Sequence, residues 1–323
     1  MQYRRLGASG LQLSALSFGA WLTFGRQIDR DRARELIAVA WDHGINFFDN
    51  AEAYANGQAE QVMGDVIADL RLPRDGFCVS SKVMFGSAEN PCPTQRGLSR
   101  KHVIEACNAA LKRLRVDHLD LYFCHRPDPD TPVAETVAAM DTLVRQGKVL
   151  YWGTSEWPAQ MIQKAVRIAH ERYFQPPSME QPQYNLLCRE RVEIEYEPLY
   201  AGLGLGTTIW SPLASGVLTG KYGKGFPEDT RLGRSPSEVV KRQALGRPDE
   251  RRLERVGHFV SIAVELGEKP AALAIAWCLR NPNVSSVILG ASKTEQLLEN
   301  LQALDLAKRY DDSVWQRVEA AFK

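Results

Sequence analysis

One unit of this chain reads Leu119-Asp120-Leu121-Tyr122-Phe123-Cys124, an almost continuously apolar run that ends in His125. An amphipathic helical pattern follows over residues 133–146. A strand that is apolar along its whole length is buried on both faces, which is typical of a parallel sheet covered by helices. The stretch is therefore a β-then-α unit, and the fold depends on how often that unit recurs.

The unit recurs along the whole chain. We predict strands near residues 16–18, 45–48, 77–81, 119–124, 149–152, 179–181, 205–210 and 284–289. The helical patterns that follow them cover residues 30–43, 59–70, 100–114, 133–146, 159–169, 191–200, 270–279 and 294–304. This repetition predicts an α/β protein with the (β/α)8 TIM barrel fold, spanning residues 1–323 as a single domain. A doubly wound open sheet is the main alternative, and the sixth strand is the weakest of the set.

Three segments lie outside the repeated unit. Residues 3–6 and 11–13 predict an N-terminal β-hairpin, and residues 312–323 predict an extra C-terminal helix. Residues 220–255, a long loop after strand seven, are rich in Lys and Arg and poor in apolar side chains. Since long loops are usually functional or disordered, this one is either a solvated excursion or a cover over a phosphate-bearing cofactor.

Composition argues against several classes of protein. Forty basic and 39 acidic residues leave a net charge of +1, whereas a nucleic-acid-binding protein needs a basic excess. No apolar run reaches the roughly 18 residues that cross a bilayer, and the N-terminus lacks the apolar core of a secretory signal. The six cysteines are scattered without metal-site spacing. We expect reduced thiols, a cytoplasmic location, no membrane insertion and no metal.

Four polar side chains follow predicted strands two, three and four: Asp49, Tyr54, Lys82 and His125. In a parallel barrel the carboxyl ends of the strands meet on the face that carries the chemistry. A Lys82 ammonium is expected to lower the pKa of Tyr54, while Asp49 holds Lys82 and His125 guides a substrate oxygen. Packing, helix capping or ordinary hydrogen bonding explains each residue singly. As a set they suit proton transfer to a carbonyl.

Two segments, Gly44-Ile45-Asn46-Phe47-Phe48-Asp49-Asn50-Ala51-Glu52-Ala53-Tyr54 and Ser80-Ser81-Lys82-Val83, resemble the aldo-keto reductases. Others, such as Tyr151-Trp152-Gly153-Thr154-Ser155, are similar to the branch that contains the voltage-gated potassium channel beta subunits. The resemblance covers residues 3 to about 304. It implies reversible carbonyl reduction by NADPH, with the cofactor carrying the hydride.

The resemblance also implies individual roles. Asp49, Tyr54, Lys82 and His125 fall on the catalytic tetrad, with Tyr54 as the acid. Ser155 and Gln181 fall where the nicotinamide carboxamide is held, and Trp210 falls where an aromatic ring stacks on the nicotinamide. The remaining positions implied to contact the cofactor are Gly19, Trp21, Gln27, Glu156, Ser211, Pro212, Leu213, Ser215, Lys221, Arg231, Gly290, Ser292, Gln296, Glu299 and Asn300.

Three positions depart from the family pattern. The channel beta subunits carry Asn where His125 stands and Arg where Glu156 stands, so His125 makes the chain resemble typical reductases. At Gln296 many members carry an Arg that grips the 2′-phosphate of NADP. An amide cannot replace that charge, so NADPH/NADP+ is expected and NAD(H) is left open, with Lys293 near enough in sequence to compensate.

Three aromatic residues, Trp21, Phe85 and Trp157, follow strands one, three and five. They are interpreted either as loop packing or as the walls of a substrate pocket. A pocket with such walls suits aromatic or small apolar aldehydes.

The sequence thus leaves three hypotheses. The first is an NADPH-dependent reductase of aldehydes or ketones, expected as a homo-oligomer, which His125 and the short N-terminus favour. The second is a subunit that binds NADP(H) and regulates a membrane channel or another partner with little turnover. The third is a metal-free barrel hydrolase or isomerase that binds no nicotinamide.

Overall fold

A computed structural model describes residues 1–222, 233 and 252–323 of the chain. Within this part, parallel strands close into a barrel, because β10 pairs with both β9 and β3. The barrel strands are β3 (Leu16–Gly19), β4 (Phe47–Asp49), β5 (Cys78–Val83), β6 (Leu119–Cys124), β7 (Val149–Thr154), β8 (Met179–Glu180), β9 (Gly206–Ile209) and β10 (Val284–Leu289). The predicted (β/α)8 barrel is confirmed, and the open-sheet alternative is wrong.

Helices alternate with these strands and cover the outside of the barrel. They are α1 (Arg30–Asp42), α2 (Gln58–Leu70), α3 (Arg100–Leu114), α4 (Val133–Arg145), α5 (Ala159–Glu171), α6 (Glu197–Leu203), α7 (Arg252–Glu265), α8 (Pro270–Arg280), α9 (Thr294–Leu301), α10 (Ala303–Arg309) and α11 (Asp312–Ala320). The Ser99 hydroxyl fixes the start of α3 by accepting the His102 N–H at 3.3 Å, which satisfies a free donor of the first turn.

The helical predictions need three corrections. The predicted helix at 191–200 opens as a π-turn over Arg191–Glu195 and continues as α6, where Pro198 near the N-terminus cannot donate to an earlier turn. The predicted helix at 294–304 is divided into α9 and α10. Helix α7 was not predicted, and most of the segment interpreted as a cofactor cover lies outside the described residues.

The N-terminal hairpin, β1 (Tyr3–Arg5) with β2 (Gln12–Ser14), closes the amino-terminal end of the barrel. The Arg4 guanidinium donates to the carbonyl oxygen of Val284, the first residue of β10, at 2.8 Å. Gly7 packs so tightly there that a Cβ would lie 2.1 Å from the Gly204 carbonyl oxygen. The hairpin therefore leaves the carboxyl-terminal end of the barrel open for a site.

Two layers of buried side chains hold the barrel together. The interior cluster consists of Leu6, Leu13, Phe47, Cys78, Leu121, Phe123, Met179 and Ile288. The larger cluster lies between the strands and the helices and includes Phe48, Val79 and Tyr122. Side chains alternate between these layers because successive strand residues point to opposite faces. None of the helices in the described part of the chain has the length and apolarity that crossing a bilayer requires.

Candidate active site

The alternation of each strand carries its polar residues into the open end of the barrel. Phe47, Cys78 and Phe123 belong to the interior cluster. Asp49 and Lys82 lie an even number of residues further along β4 and β5, and His125 directly follows β6, two residues after Phe123. Side chains two residues apart share a face of a strand. The polar residues at the strand ends therefore continue the interior side of the barrel and converge.

Lys82 lies at the centre of the site and is completely buried. Its ammonium donates to both oxygens of Asp49, at 2.8 and 2.7 Å, and to the backbone oxygen of Asn50 at 2.7 Å. The phenol oxygen of Tyr54 is 3.2 Å away. Because a buried charge is costly unless it is paired and hydrogen-bonded, the Asp49 carboxylate is what allows an ammonium to stand beside Tyr54.

His125 packs edge-on against two aromatic rings. The ring centroids of His125 and Tyr54 are 5.8 Å apart, and those of His125 and Phe85 are 5.3 Å apart. The Nδ1 atom of His125 is buried, and it has no hydrogen-bond partner within the described residues. Buried polar atoms are nearly always satisfied, so this nitrogen marks a place for a ligand.

The site shifts the acid–base properties of its members. Burial, and then the charge of Asp49, raises the pKa of Tyr54 well above its usual value, against an opposing effect of Arg126. Burial lowers the pKa of Lys82, although Asp49 opposes this. Burial, with the cations of Arg126 and Lys82, holds the pKa of His125 far below its usual value. Burial dominates, so the net pKa of Tyr54 lies above its usual value, although a neighbouring Lys82 ammonium by itself favours the phenolate.

A hydrogen-bond network extends from the tetrad to the next strands. The Gln181 amide donates to Asp49 Oδ1 at 3.0 Å and to the Thr208 hydroxyl at 3.3 Å. The Ser155 hydroxyl donates to the backbone oxygen of Gln181 at 2.8 Å and accepts from the Arg126 guanidinium at 3.1 Å. Gln181 thus contacts the tetrad directly, and Ser155 is joined to it through the backbone of Gln181.

Trp210 follows β9 and is held from several sides. Trp21 meets it edge-on with ring centroids 5.7 Å apart, and the Arg126 guanidinium lies 5.8 Å from its ring centroid. Its indole N–H donates to Glu156 Oε1 at 3.0 Å. Arg191 pairs with the other oxygen of the same carboxylate at 2.5 Å.

The remaining expected cofactor positions lie in two segments and around β3. Gly19 ends β3, where a Cβ would be 2.6 Å from Ile288, and Gln27 is exposed in the loop that follows. After β9 come Ser211, Pro212, Leu213, Ser215 and Lys221, of which Ser215 is buried and Lys221 exposed. Arg231 lies outside the described residues.

After β10 come Gly290, Ser292, Gln296, Glu299 and Asn300. Gln296 reaches back from α9, where its amide oxygen accepts the Ser292 N–H at 3.1 Å and the hydroxyl at 3.3 Å. Lys293 is exposed between them. The amide oxygen of Gln296 is thus already engaged in closing the turn before α9.

The three aromatic residues expected around a substrate differ in position. Phe85 is 47% exposed beside His125, and Trp21 is partly buried beside Trp210. Trp157 is 1% exposed, and its backbone oxygen accepts the Tyr196 hydroxyl at 2.5 Å. Trp157 therefore packs in the core and offers little surface to a ligand.

Several contributors to the site were missed in the sequence. Ser80 donates to Asp49 Oδ1 at 2.7 Å, and its position two residues before Lys82 on β5 was a readable signal, since both share one face. Arg126 follows His125 directly and joins Ser155 to Trp210. Arg191 gave no signal, because its partner Glu156 lies 35 residues earlier.

The fold and this network define a class: an α/β barrel protein with a phenol, an ammonium and an imidazole together at the carboxyl-terminal end of its strands. The sequence profile of the aldo/keto reductase family matches residues 15–323. The chain belongs to the aldo/keto reductase family, whose members act on small carbonyl compounds.

Three curated relatives match nearly the whole chain in sequence. A probable voltage-gated potassium channel subunit beta of Oryza sativa subsp. japonica is 49% identical over 321 residues, 99% of this chain and 96% of that protein. A protein of Arabidopsis thaliana with the same description is 48% identical over 320 residues, with the same coverage of both chains. A putative channel subunit beta of Schizosaccharomyces pombe is 43% identical over 319 residues, 98% of this chain and 92% of that protein.

A nicotinamide cofactor is typical of this family, and the residues present fit one. The unpartnered Nδ1 of His125 leaves a buried polar position for a ligand. Lys221 lies against bare backbone at Gly216, where a Cβ would be 2.7 Å from the ammonium nitrogen. In the described part of the chain, no three His, Cys, Asp or Glu side chains form a group able to hold a metal ion.

Proposed function

We propose that this chain is an NADPH-dependent oxidoreductase that reduces aldehydes or ketones to alcohols, with Tyr54 as the proton donor. The observation that carries the proposal is the 3.2 Å contact between the Lys82 ammonium and the Tyr54 hydroxyl, with Lys82 buried against Asp49. A phenol next to a fixed cation can release a proton at the moment when a neighbouring oxygen gains negative charge.

In this proposal the bound nicotinamide supplies the hydride that reaches the carbonyl carbon. Tyr54 gives its proton to the carbonyl oxygen, so the C=O group becomes CH–OH. Lys82 stabilises the phenolate that remains, and the phenolate regains its proton from solvent. The raised pKa of Tyr54 keeps the phenol protonated at neutral pH, and the neighbouring Lys82 ammonium lowers the cost of forming the phenolate when the proton leaves.

His125 serves as the guide for the carbonyl oxygen. Its lowered pKa keeps the imidazole neutral, and a neutral imidazole has one N–H to donate. The ring lies between Tyr54 and Phe85, so a carbonyl oxygen held there also comes close to the phenol. Phe85 and Trp21 then favour an apolar or aromatic group on the substrate.

We propose that residues around the tetrad would hold this cofactor. Ser155 and Gln181 hold the carboxamide, Trp210 stacks on the nicotinamide, and the segments at 211–221 and 290–300 hold the pyrophosphate and the adenosine. The exposed Lys293 provides the cation near the 2′-phosphate that Gln296 lacks. We further propose that residues 1–323 form one domain of a cytoplasmic homo-oligomer.

A second candidate is a regulatory subunit that binds NADP(H) with little turnover. The three relatives described as channel subunits favour it. Membership of the same family is compatible with either function, since a fold does not determine function.

The deciding experiment measures loss of NADPH absorbance with a panel of aldehydes and ketones. Wild type is compared with Tyr54→Phe and His125→Asn, and NADPH and NADH binding are titrated by fluorescence. Turnover that Tyr54→Phe abolishes without weakening NADPH binding supports the reductase. Tight NADPH binding with no turnover on any carbonyl supports the regulatory subunit, and no nicotinamide binding rules out both.

A further inference from the structure

The Glu156 carboxylate accepts hydrogen bonds from several groups around Trp210. One carboxylate oxygen accepts the Trp210 indole N–H at 3.0 Å and the Gln183 backbone N–H at 2.6 Å. The other oxygen accepts from the Arg191 guanidinium at 2.5 Å, and Arg191 also donates to the backbone oxygen of Glu156 at 3.2 Å. The carboxylate therefore has partners on both of its oxygens.

The backbone makes this geometry specific to the position. Glu156 has a φ of 59°, a left-handed conformation that a residue with a β-carbon rarely adopts. The strain is held by the surrounding contacts, and it directs the side chain toward the strand-end residues Gln183 and Trp210. Backbone strain of this kind persists only where the neighbouring structure fixes it.

Trp210 also packs against the interior cluster and makes two further ring contacts. Trp21 touches the ring by an edge, and Arg126 stands 5.8 Å from the ring centroid. Neither contact has the directionality of a hydrogen bond. Among the described residues, the hydrogen bond to Glu156 is the contact that ties the indole nitrogen to a fixed point.

We propose that Glu156 is a positioning residue that sets the plane of the Trp210 indole, and that Arg191 neutralises Glu156 so that no free negative charge faces the cofactor. The inference rests on the proposed function, in which the Trp210 indole would stack on the bound nicotinamide.

The first test observes the indole of the cofactor-free protein by NMR. The Nε1–H resonance of Trp210 is assigned by its disappearance in Trp210→Phe. In Glu156→Met, which keeps the bulk of the side chain but removes the acceptor, we expect this resonance to move or broaden. In Glu156→Gln, whose amide oxygen can still accept the N–H, we expect it to stay near the wild-type position.

Glu195→Gln is the matched control. Glu195 pairs with the same guanidinium, with Arg191 Nε 3.3 Å from its carboxylate, but it does not contact Trp210. Its substitution should leave the Trp210 resonance unchanged. If Glu156→Met does not fold, Glu156→Ala keeps the same β-carbon and backbone strain and gives the same readout. A Trp210 resonance that is identical in wild type and in the Met or Ala variant overturns the proposal.

The second test measures NADPH dissociation constants in a double-mutant cycle. Glu156→Met should weaken binding about tenfold, Glu156→Gln less than about threefold, and Glu156→Met should have no added effect when Trp210 is already Phe. Equal effects in the two backgrounds would overturn the proposal. Neither test depends on turnover, so a chain that binds NADP(H) without reducing carbonyls fails the proposed reductase function while still testing this inference.

Discussion

Lys82 and Tyr54 approach within 3.2 Å, nitrogen to oxygen, in a site where Lys82 is completely buried. The proximity of a cation would by itself favour the phenolate. Burial and the carboxylate of Asp49 outweigh it and raise the pKa of Tyr54. Tyr54 is therefore held as a neutral phenol rather than as a phenolate, and substitutions of the two residues should have different effects.

Tyr54→Phe should abolish most turnover while leaving the protein folded. The substitution removes one hydroxyl and one hydrogen bond, which costs about 1 kcal/mol of stability, whereas loss of a general acid lowers the rate by about 10²–10⁴-fold. Steady-state reduction of an aldehyde and urea unfolding measure the two effects. A variant that retains more than about a tenth of the wild-type rate would assign the proton to another group.

Lys82→Met should instead destabilise the fold strongly. Asp49 would remain buried, at 3% exposed, without its cation, and breaking a buried ion pair by removing one partner costs about 3–5 kcal/mol. The urea midpoint should fall far more than in Tyr54→Phe. The double variant Lys82→Met with Asp49→Asn should recover much of the loss, and no recovery would mean that the uncompensated charge is not the cause.

The pH dependence of reduction should be flat through the neutral range. Burial and neighbouring cations lower the pKa of His125 far below its usual value, so its imidazole is neutral in this pH range. The pKa of Tyr54 is raised, so its phenol keeps its proton in the same range. Values of kcat/KM should therefore vary little between about pH 6 and 8. The first loss on the alkaline side should come from Lys82, whose pKa burial lowers. A limb near pH 6.5 that vanishes in His125→Asn would contradict this.

Much of this site could be predicted from the sequence because it lies at strand ends. Apolar runs place Asp49, Lys82 and His125 at the carboxyl ends of strands, and the two-residue period of a strand places them on one face. The same period gives Ser80 beside Lys82. Even the short β8, the weakest prediction, forms at Met179–Glu180.

Other features could not be predicted because they depend on desolvation and long-range contact. The direction of the Tyr54 pKa shift follows from how completely the site excludes water, which no spacing reveals. The Glu156–Arg191 pair joins the end of β7 to a π-turn, and a regular helix was predicted over that turn. Trp157 follows a strand just as Trp21 does, yet it packs inward against Tyr196.

Glu180→Gln should change how stability depends on pH. Burial raises the pKa of Glu180 to about 8, against the Thr154 hydrogen bond and with the help of the Glu156 charge. In the unfolded chain the Glu180 carboxyl has a pKa of about 4.3. Between these values the folded state holds a proton that the unfolded chain lacks, so the free energy of unfolding falls as pH rises, by at most ~1.4 kcal/mol per unit.

The Gln variant cannot ionise at this position, so its stability relative to wild type should rise from about pH 5 to about pH 8 and then level off. Urea unfolding at several pH values within that window measures the difference. The other titrating groups affect the free energy of unfolding equally in both proteins, so they cancel in this difference. Parallel stability curves for the two proteins would mean that Glu180 ionises normally in the folded state.

Glu52→Ala should affect the carbonyl substrate more than the cofactor. Glu52 Oε1 accepts the N–H groups of Met84 at 2.8 Å and Gly86 at 2.9 Å, which flank Phe85, and His102 lies 3.4 Å from Oε2. Without the acceptor, two N–H groups lose their partner and the Phe85 ring is released from beside His125. We expect KM for an aromatic aldehyde to rise about tenfold, with the NADPH dissociation constant within about twofold of wild type.

Glu52→Gln keeps an oxygen that can accept both N–H groups and should stay close to wild type in both measurements. An equal loss of cofactor affinity in Glu52→Ala would instead mean that the whole catalytic face, and not the Phe85 loop alone, depends on this carboxylate.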